Sequence, residues 1–413
     1  MLEGVVKIPR GRFSAAGEAV RRGRILRAQG RRRQAAEAFL EALALCPRET
    51  DAYWHNTALN ELEITEGAAE LESKPRSLNM VLSNRCNIEC VMCSVWDNPW
   101  EMPERALREV SELFPTLGRL MWQGGEVFMS PRFEPLFDLA AAHLNLQQHI
   151  TTNGLLFSRS LARKIIRSNS ALILSIDGAT KTTYERVRKK GRFERLLEGI
   201  RLLNEARDER AAASAGAPVY PLTMNVTIMR SNYRELERFA EFAHEHRFQT
   251  LQINPVDTSG PEDIFRCRDR EALPFIEEAV PRMKERAARL GLILHVWLPS
   301  SRSPELIREP KPGIEKLEEP KAASSQAVPA FANEIGCFWP WQDLWIDQGG
   351  RVRPHCFCGW DIGNVKDDSL MALWNNETMQ GYRRRLHANA AAGWCSNRCV
   401  EGAILKEALG LDG

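Results

Sequence analysis

Six short apolar runs, separated by stretches of helical length, constrain the fold of this chain more than any other feature. They are Leu78–Leu82, Arg119–Met121, Gln148–Thr151, Leu172–Ile176, Leu222–Ile228 and Thr250–Asn254. Helical segments such as Glu101–Phe114 and Tyr233–His246 lie between them. Repeated βα units pair their strands in parallel and lay their helices on the outside. Six strands are too few to close an eight-stranded barrel. The expectation is therefore an α/β chain built on an open, partial (β/α)6 barrel over residues 75–298. A long helix, about Glu271–Leu290, and a further strand-like run, Leu292–Trp297, end that region.

The flanks read differently. Residues 1–74 form a helical extension in which Gly23, Gly30, Ala35, Phe39, Ala42 and Pro47 fall at the offsets of a tetratricopeptide-like hairpin. Small residues would sit where two helices touch, and Phe39 would fill the groove between them. A single repeat cannot bury its own apolar face, so the unit must pack on the main domain or on a partner; an unspecific helical extension fits the same residues. Its arginines (Arg21, Arg22, Arg24, Arg27, Arg31, Arg32, Arg33) lack the interleaved aromatics of a nucleic-acid platform and read as a solvated helix face. A patch that docks an acidic peptide or protein is the other reading. Residues 299–330 carry six prolines among charged and small residues, as a connector or lid would. Ala211–Pro218 reads as a shorter loop of the same kind.

Composition removes several classes. The 413 residues are 44% hydrophobic with a net charge of +2, which gives no reason to invoke nucleic acid or an acidic membrane as a general partner. No apolar run approaches the roughly 18 residues of a membrane span, and Met1–Arg12 lacks the apolar core of a signal peptide. Ten cysteines in such a chain argue for metal or redox chemistry in a reducing, cytoplasmic setting.

Three of those cysteines are concentrated in one loop after the first strand: Cys86, Cys90 and Cys93, spaced Cys-x3-Cys-x2-Cys. A structural four-iron cluster normally takes four thiolates, so three leave one iron open to another ligand. Zinc ribbons pair their cysteines differently; a degenerate metal site or packing thiols are the remaining readings. Strand order adds independent information, because reacting groups in an open βα sheet gather at the C-terminal strand ends. Glu126 follows the second strand and Asn153 the third, while Asp177 ends the fourth and Asn254 the sixth. All of them point into one mouth.

The cysteine loop, with Asn87 and Met92 inside it, resembles the radical S-adenosylmethionine (SAM) superfamily. So do Gln123-Gly124-Gly125-Glu126, Thr151-Thr152-Asn153-Gly154, Ser175-Ile176-Asp177-Gly178 and the stretch from Tyr184 to Phe193. The resemblance implies a SAM-binding [4Fe-4S] cluster on Cys86, Cys90 and Cys93, with SAM on the fourth iron. It implies that Gly124, Gly125 and Glu126 hold the SAM ammonium group, with Asn153 in the same cofactor-binding set. Ser175 and Asn225 would meet its ribose or methionine portion, and Arg188 its carboxylate. Asp177 belongs to the same motif, with a cofactor or a substrate role. Electron delivery would release a 5′-deoxyadenosyl radical, and a low-potential reductant such as flavodoxin or ferredoxin is implied.

Five further cysteines, Cys337, Cys356, Cys358, Cys395 and Cys399, lie in the last eighty or so residues. Asp343–Ile346 and Arg351–Phe357 flank Gln348-Gly349-Gly350 and read as a β-hairpin. Residues 331–413, including Pro340-Trp341 and Gly363-Asn364, resemble the small α+β SPASM/twitch domain of radical SAM enzymes. That implies one auxiliary [4Fe-4S] cluster on Cys337, Cys356, Cys395 and Cys399, with Cys358 as the substitute for Cys356. His355 stands where many relatives have a cysteine, and a zinc site from the same residues is the rival reading. Cys46 reads as a packing thiol. Cys267 reads either as packing or as a catalytic hydrogen donor.

The expected reaction is hydrogen abstraction followed by net oxidation, either dehydrogenation of a sugar or cyclitol or oxidation or crosslinking of a peptide. A single auxiliary cluster favours the small-molecule dehydrogenases, whereas the N-terminal helices favour a peptide or carrier-protein partner. An epimerase with a cysteine hydrogen donor is the alternative, and a non-catalytic metal-binding scaffold the distant one.

Overall fold

The computed structural model of the protein describes residues 15–168, 170–213, 221–258, 260–298, 337–356, 358 and 360–387. The Pro-rich 299–330 stretch, Cys395 and Cys399 lie outside the described residues, as do 214–218 of the Ala-rich segment; Ala211–Ala213 belong to a helix. No helix among the described residues is long and apolar enough to cross a membrane.

Three helices open the chain: α1 (Ala15–Ala28), α2 (Arg32–Leu45) and α3 (Ala52–Glu66). The Gly23–Phe39 contact expected of a helical hairpin is present. A Cβ on Gly23 would lie 2.4 Å from the Phe39 ring, so only glycine lets α1 and α2 close over it. Cys46 is buried beside this small core, as a packing thiol should be. Asp51 caps α3 by accepting the Tyr53 and Trp54 amides.

The main sheet runs β12-β11-β10-β1-β3-β4-β5-β7-β8-β9. Its strands are β1 (Ser77–Val81), β3 (Arg119–Gln123), β4 (Gln147–Thr152), β5 (Ser170–Ser175), β7 (Leu222–Ile228), β8 (Thr250–Pro255), β9 (Ile293–Val296), β10 (Asp343–Ile346), β11 (Arg351–Arg353) and β12 (Gly363–Asn364). A separate antiparallel ribbon joins β2 (Glu89–Cys90) to β6 (Arg188–Lys189). The six expected strands are all present and parallel, but they do not mark the limits of the parallel run. β9 adds to the β8 edge, and β10, from the C-terminal region, adds in parallel to the free edge of β1. A strand edge is a row of unpaired backbone groups, and the chain fills this one from far along its length, pairing Ser77 with Asp343 and Met80 with Ile346.

Along the strands, burial alternates. Leu120, Trp122, Ile150, Leu174, Val226 and Ile253 are fully buried against the helices, which is worth about 1.5–3 kcal/mol for each large side chain. These helices are α4 (Glu104–Leu113), α5 (Phe133–Ala141), α6 (Arg159–Arg167), α7 (Lys181–Val187), α8 (Phe193–Ala213), α9 (Leu236–Glu245) and α10 (Ala272–Arg289). The opposite face is polar and half-buried, with Arg119, Gln123, His149, Thr151, Ser175, Asn225 and Gln252. A polar inner face of this kind receives a solute rather than a hydrophobic core.

The C-terminal part adds α11 (Trp339–Gln342), α12 (Leu370–Trp374) and α13 (Glu377–His387). Buried polar side chains join it to α3. Asn60 donates to Ser73 Oγ (2.9 Å) and to the Trp341 carbonyl (2.6 Å), and Arg383 donates to the carbonyls of Ala69, Pro340 and Trp374. Glu61, 1% exposed, receives Arg24, Arg27 and Arg76 at 2.6–2.7 Å. The arginine stretch is a solvated face in part: Arg21, Arg22, Arg24, Arg31 and Arg33 are exposed, while Arg27 and Arg32 are half-buried. Arg24 and Arg27 reach Glu61, and Arg32 reaches the Thr65 carbonyl, while Arg33 stays 94% exposed. The helical unit thus packs on the main domain through charge compensation that a helical wheel does not display.

Candidate functional site

The cysteine loop leaves the end of β1 and folds back on the turn after β3. Gly125 N–H donates to the Ser83 carbonyl (2.9 Å) and Glu126 N–H to the Arg85 carbonyl (2.7 Å). A Cβ on Gly124 would lie 2.4 Å from the Ser83 oxygen, and one on Gly125 would lie 2.4 Å from the Arg85 oxygen. The two glycines therefore let the cysteine loop and the Gly-Gly-Glu turn share one backbone interface. Asn84 ties the same loop to the C-terminal hairpin, donating to the carbonyls of Asn98 (2.7 Å) and Gln348 (3.1 Å).

Glu126 is fully buried. Its Oε1 accepts from Thr152 Oγ1 (2.8 Å) and its Oε2 from the Asn153 amide (2.7 Å), while the Asn153 side chain donates to Asn87 Oδ1 (2.8 Å). Burial pushes the Glu126 carboxyl up to about 7, against the lowering effect of those hydrogen bonds. It has no salt-bridge partner among the described residues.

On the other side of the loop, Cys90 pairs with Arg188 across the β2–β6 ribbon. The Arg188 guanidinium donates to Cys90 Sγ (3.8 Å) and to Asp177 Oδ2 (2.6 Å). Asp177 is fully buried, and its Oδ1 accepts the Thr227 amide (2.8 Å). Asn232 holds the Asp177 carbonyl (3.0 Å). Burial opposes the charge on Arg188, but Asp177 and then Cys90 hold it firmly protonated. Burial pushes Cys90 up to about 11; Arg188 opposes the rise, while Asp177 and the Cys93 and Cys86 sulfurs add to it. Cys86 is raised by burial first, with Glu126 and Cys93 contributing. The three sulfurs and Glu126 therefore sit within one another's electrostatic reach.

Ser175 and Asn225 are register partners on β5 and β7, on the polar face, and Asn225 Oδ1 accepts from Asn254 Nδ2 (2.7 Å). Sequence reasoning placed Asn254 at this mouth but did not find Thr227, which donates its backbone amide, or Asn232, whose side-chain amide donates to a backbone carbonyl; neither leaves a pattern in the chain. Cys267 stands apart from this group. It is exposed on the loop after β8, with Arg230 Nη2 3.7 Å from its sulfur. Cys337, Cys356 and Cys358 are half-buried around the C-terminal hairpin, and His355 next to them stacks on Trp339 with ring centroids 4.2 Å apart.

Family comparisons agree with this arrangement. A model of the radical SAM superfamily matches residues 80–243, and one of the SPASM iron–sulfur cluster-binding domain matches 337–400. The mycofactocin maturase MftC of Mycobacterium tuberculosis is 27% identical over 192 residues, covering 45% of this chain and 46% of that protein. The chain thus spans about half the length of such curated relatives. The PqqA peptide cyclase of Gluconobacter oxydans is 27% identical over 326 residues, covering 74% of this chain and 78% of that protein. In fold, the chain is similar to Streptococcus suis SuiB bound to precursor peptide SuiA, with a TM-score of 0.56 at 17% identity over 87% of this chain and 78% of that one. The chain belongs to the radical SAM superfamily and carries a SPASM domain at its C-terminal end. Its cofactors follow from that class: SAM, a SAM-binding [4Fe-4S] cluster and an auxiliary [4Fe-4S] cluster. The residues present fit such a group. Three thiols on one loop lie within mutual electrostatic range, beside a buried carboxylate whose partners are hydrogen bonds rather than a bound cation.

Proposed function

We propose that the protein is a radical SAM peptide maturase, which removes hydrogen from an unactivated C–H bond of a precursor peptide and leaves it oxidised or crosslinked. The observation that carries the peptide reading is the match to the PqqA peptide cyclase along 74% of this chain. The mycofactocin maturases point the same way. When bound, the cluster and SAM supply a 5′-deoxyadenosyl radical able to take hydrogen from such a carbon.

In this reading Cys86, Cys90 and Cys93 hold the first cluster. Glu126 receives the ammonium group of SAM, a cation that would draw its carboxyl back down from about 7. Arg188 faces the SAM carboxylate and the Cys90 sulfur together, and Asp177 acts as a positioning residue that fixes the guanidinium through Oδ2. Ser175 and Asn225 line the path of the nucleoside on the polar face. Asn153 orients the loop through Asn87. Cys337, Cys356 or Cys358, Cys395 and Cys399 would hold the auxiliary cluster, which when bound would supply an electron acceptor for the oxidation. A reducing cytoplasm and a flavodoxin- or ferredoxin-type donor suit this chemistry.

Anaerobic reconstitution with iron and sulfide, followed by SAM, dithionite and short peptides encoded beside the gene, tests the proposal. The expected result is 5′-deoxyadenosine together with a peptide lighter by two hydrogens. A peptide of unchanged mass that gains deuterium from D2O would instead make the protein an epimerase. Deoxyadenosine formation that no peptide stimulates would remove the peptide reading.

A further inference from the structure

Arg119 opens β3 at the end opposite the Gly-Gly-Glu turn, on the polar face of the sheet. Other partly or fully buried guanidinium groups of this chain are compensated: Arg76 by Glu61, Arg188 by Asp177, and Arg383 by three carbonyl oxygens. Arg119 is not. Its Nε donates to Ser77 Oγ (3.0 Å) and its guanidinium lies over the Trp339 ring (5.8 Å to the centroid). Among the described residues neither terminal amino group has a hydrogen-bond acceptor and no carboxylate lies within ion-pair distance. His149 and His355 stand close enough to feel its charge, and His355 stacks on Trp339.

Two features make this more than a prop. The groups around Arg119 come from both domains, with His149 on β4 and with Trp339 and His355 from the SPASM region. They therefore join the polar face of the sheet to the segments that carry Cys337 and Cys356. The position is also measured out by the strand. Four residue steps at about 3.3 Å place Arg119 about 13 Å from Gln123, roughly the length of four extended peptide residues. A guanidinium with a free fork binds a carboxylate through two parallel hydrogen bonds.

Building on the peptide reading, we propose that Arg119, framed by His149, Trp339 and His355, is a carboxylate-binding subsite that recognises an acidic group on the substrate peptide, about four extended residues from the Gly-Gly-Glu turn. The carboxylate is an acidic side chain or the peptide's own C-terminus.

The test uses the anaerobically reconstituted full chain and three probe peptides, followed by saturation-transfer NMR. One is a blocked glycine pentapeptide with a central glutamate, the second has glutamine in its place, and the third is an N-acetylated glycine peptide with a free C-terminal carboxylate. The glutamate peptide, the free-carboxylate peptide or both should bind at least tenfold more tightly than the glutamine peptide, and which of them does identifies the source. R119Q should abolish that preference and R119K should keep part of it. W339L, which removes the ring but keeps the charge, should retain the preference even where it lowers the melting temperature. Equal binding of all three peptides, or a preference that survives in R119Q, overturns the proposal. Because the readout is binding, it is independent of whether the enzyme oxidises any peptide, and failure of the maturase reading would show separately in the deoxyadenosine assay.

Discussion

Glu61 and Glu126 are both buried carboxylates, yet they are displaced by about the same amount in opposite directions. Burial raises Glu61, but Arg76, Arg24 and Arg27 outweigh it and bring the group to about 2. Burial raises Glu126 to about 7, because it outweighs the hydrogen bonds from Asn153, Thr152 and Phe128 and the more weakly felt charge of Arg188. A buried charge is tolerated when it is paired. The seam between α3 and the sheet supplies its own cations and is finished by folding alone. The strand-end mouth leaves its carboxylate compensated by dipoles, which suits a place where the missing positive charge arrives with a ligand.

The largest expected effect lies on the mouth side. Cys90→Ser should cut deoxyadenosine formation by roughly a hundredfold or more and lower bound iron, because it removes one of three ligands. A variant that retained full iron and activity would separate this loop from the cluster.

On the seam side, Glu61→Gln leaves three guanidinium groups facing one another and should cost about 3–5 kcal/mol in chemical denaturation. A loss below about 1 kcal/mol would mean that water already screens the cluster.

The pH profiles should run in opposite directions. The folded pKa of Glu61 lies below its unfolded value, so its contribution is present above about 4.5 and is lost as pH falls towards 2. For Glu126 the folded pKa lies above the unfolded one, so the fold loses stability as pH rises from about 4.5 to about 7 and is unaffected beyond. Each shift corresponds to about 3 kcal/mol. Denaturation of the cluster-free protein at pH 5 and pH 8 should show the Glu126 loss, and Glu126→Gln should flatten it. A profile unchanged by that substitution would mean the carboxylate is already neutralised.

A smaller effect should follow from Gly125→Ala, whose new Cβ meets backbone oxygens of Arg85 and Asn84 at 2.4 and 2.6 Å. Displacing that interface should cost about 1–3 kcal/mol and slow iron uptake by the neighbouring cysteines. Smallest of all, Arg33→Ala removes an exposed pair with Glu37 and should leave the melting temperature unchanged.

Much of this architecture is legible in the chain. The strand runs lie within a residue or two of the observed strands, because a period of two and a period of 3.6 are local properties. Gly23 and Phe39 betray their contact through size alone. The arginine stretch was legible as a largely exposed face, but not its link to Glu61, which lies on another helix beneath Arg24 and Arg27. The hairpin was legible too, but nothing in its sequence says that β10 would extend the main sheet.

The sequence by itself determined the βα order, the spacing of Cys86, Cys90 and Cys93, and the run Gly124-Gly125-Glu126. Each of these rests on interactions within a few residues. Only the tertiary structure decided that Asp177 holds Arg188 against Cys90, that β10 closes the edge of β1, and that Arg119 meets no carboxylate among the described residues. Those outcomes depend on which charges and backbone edges meet across long separations in the chain, and only packing brings them into contact.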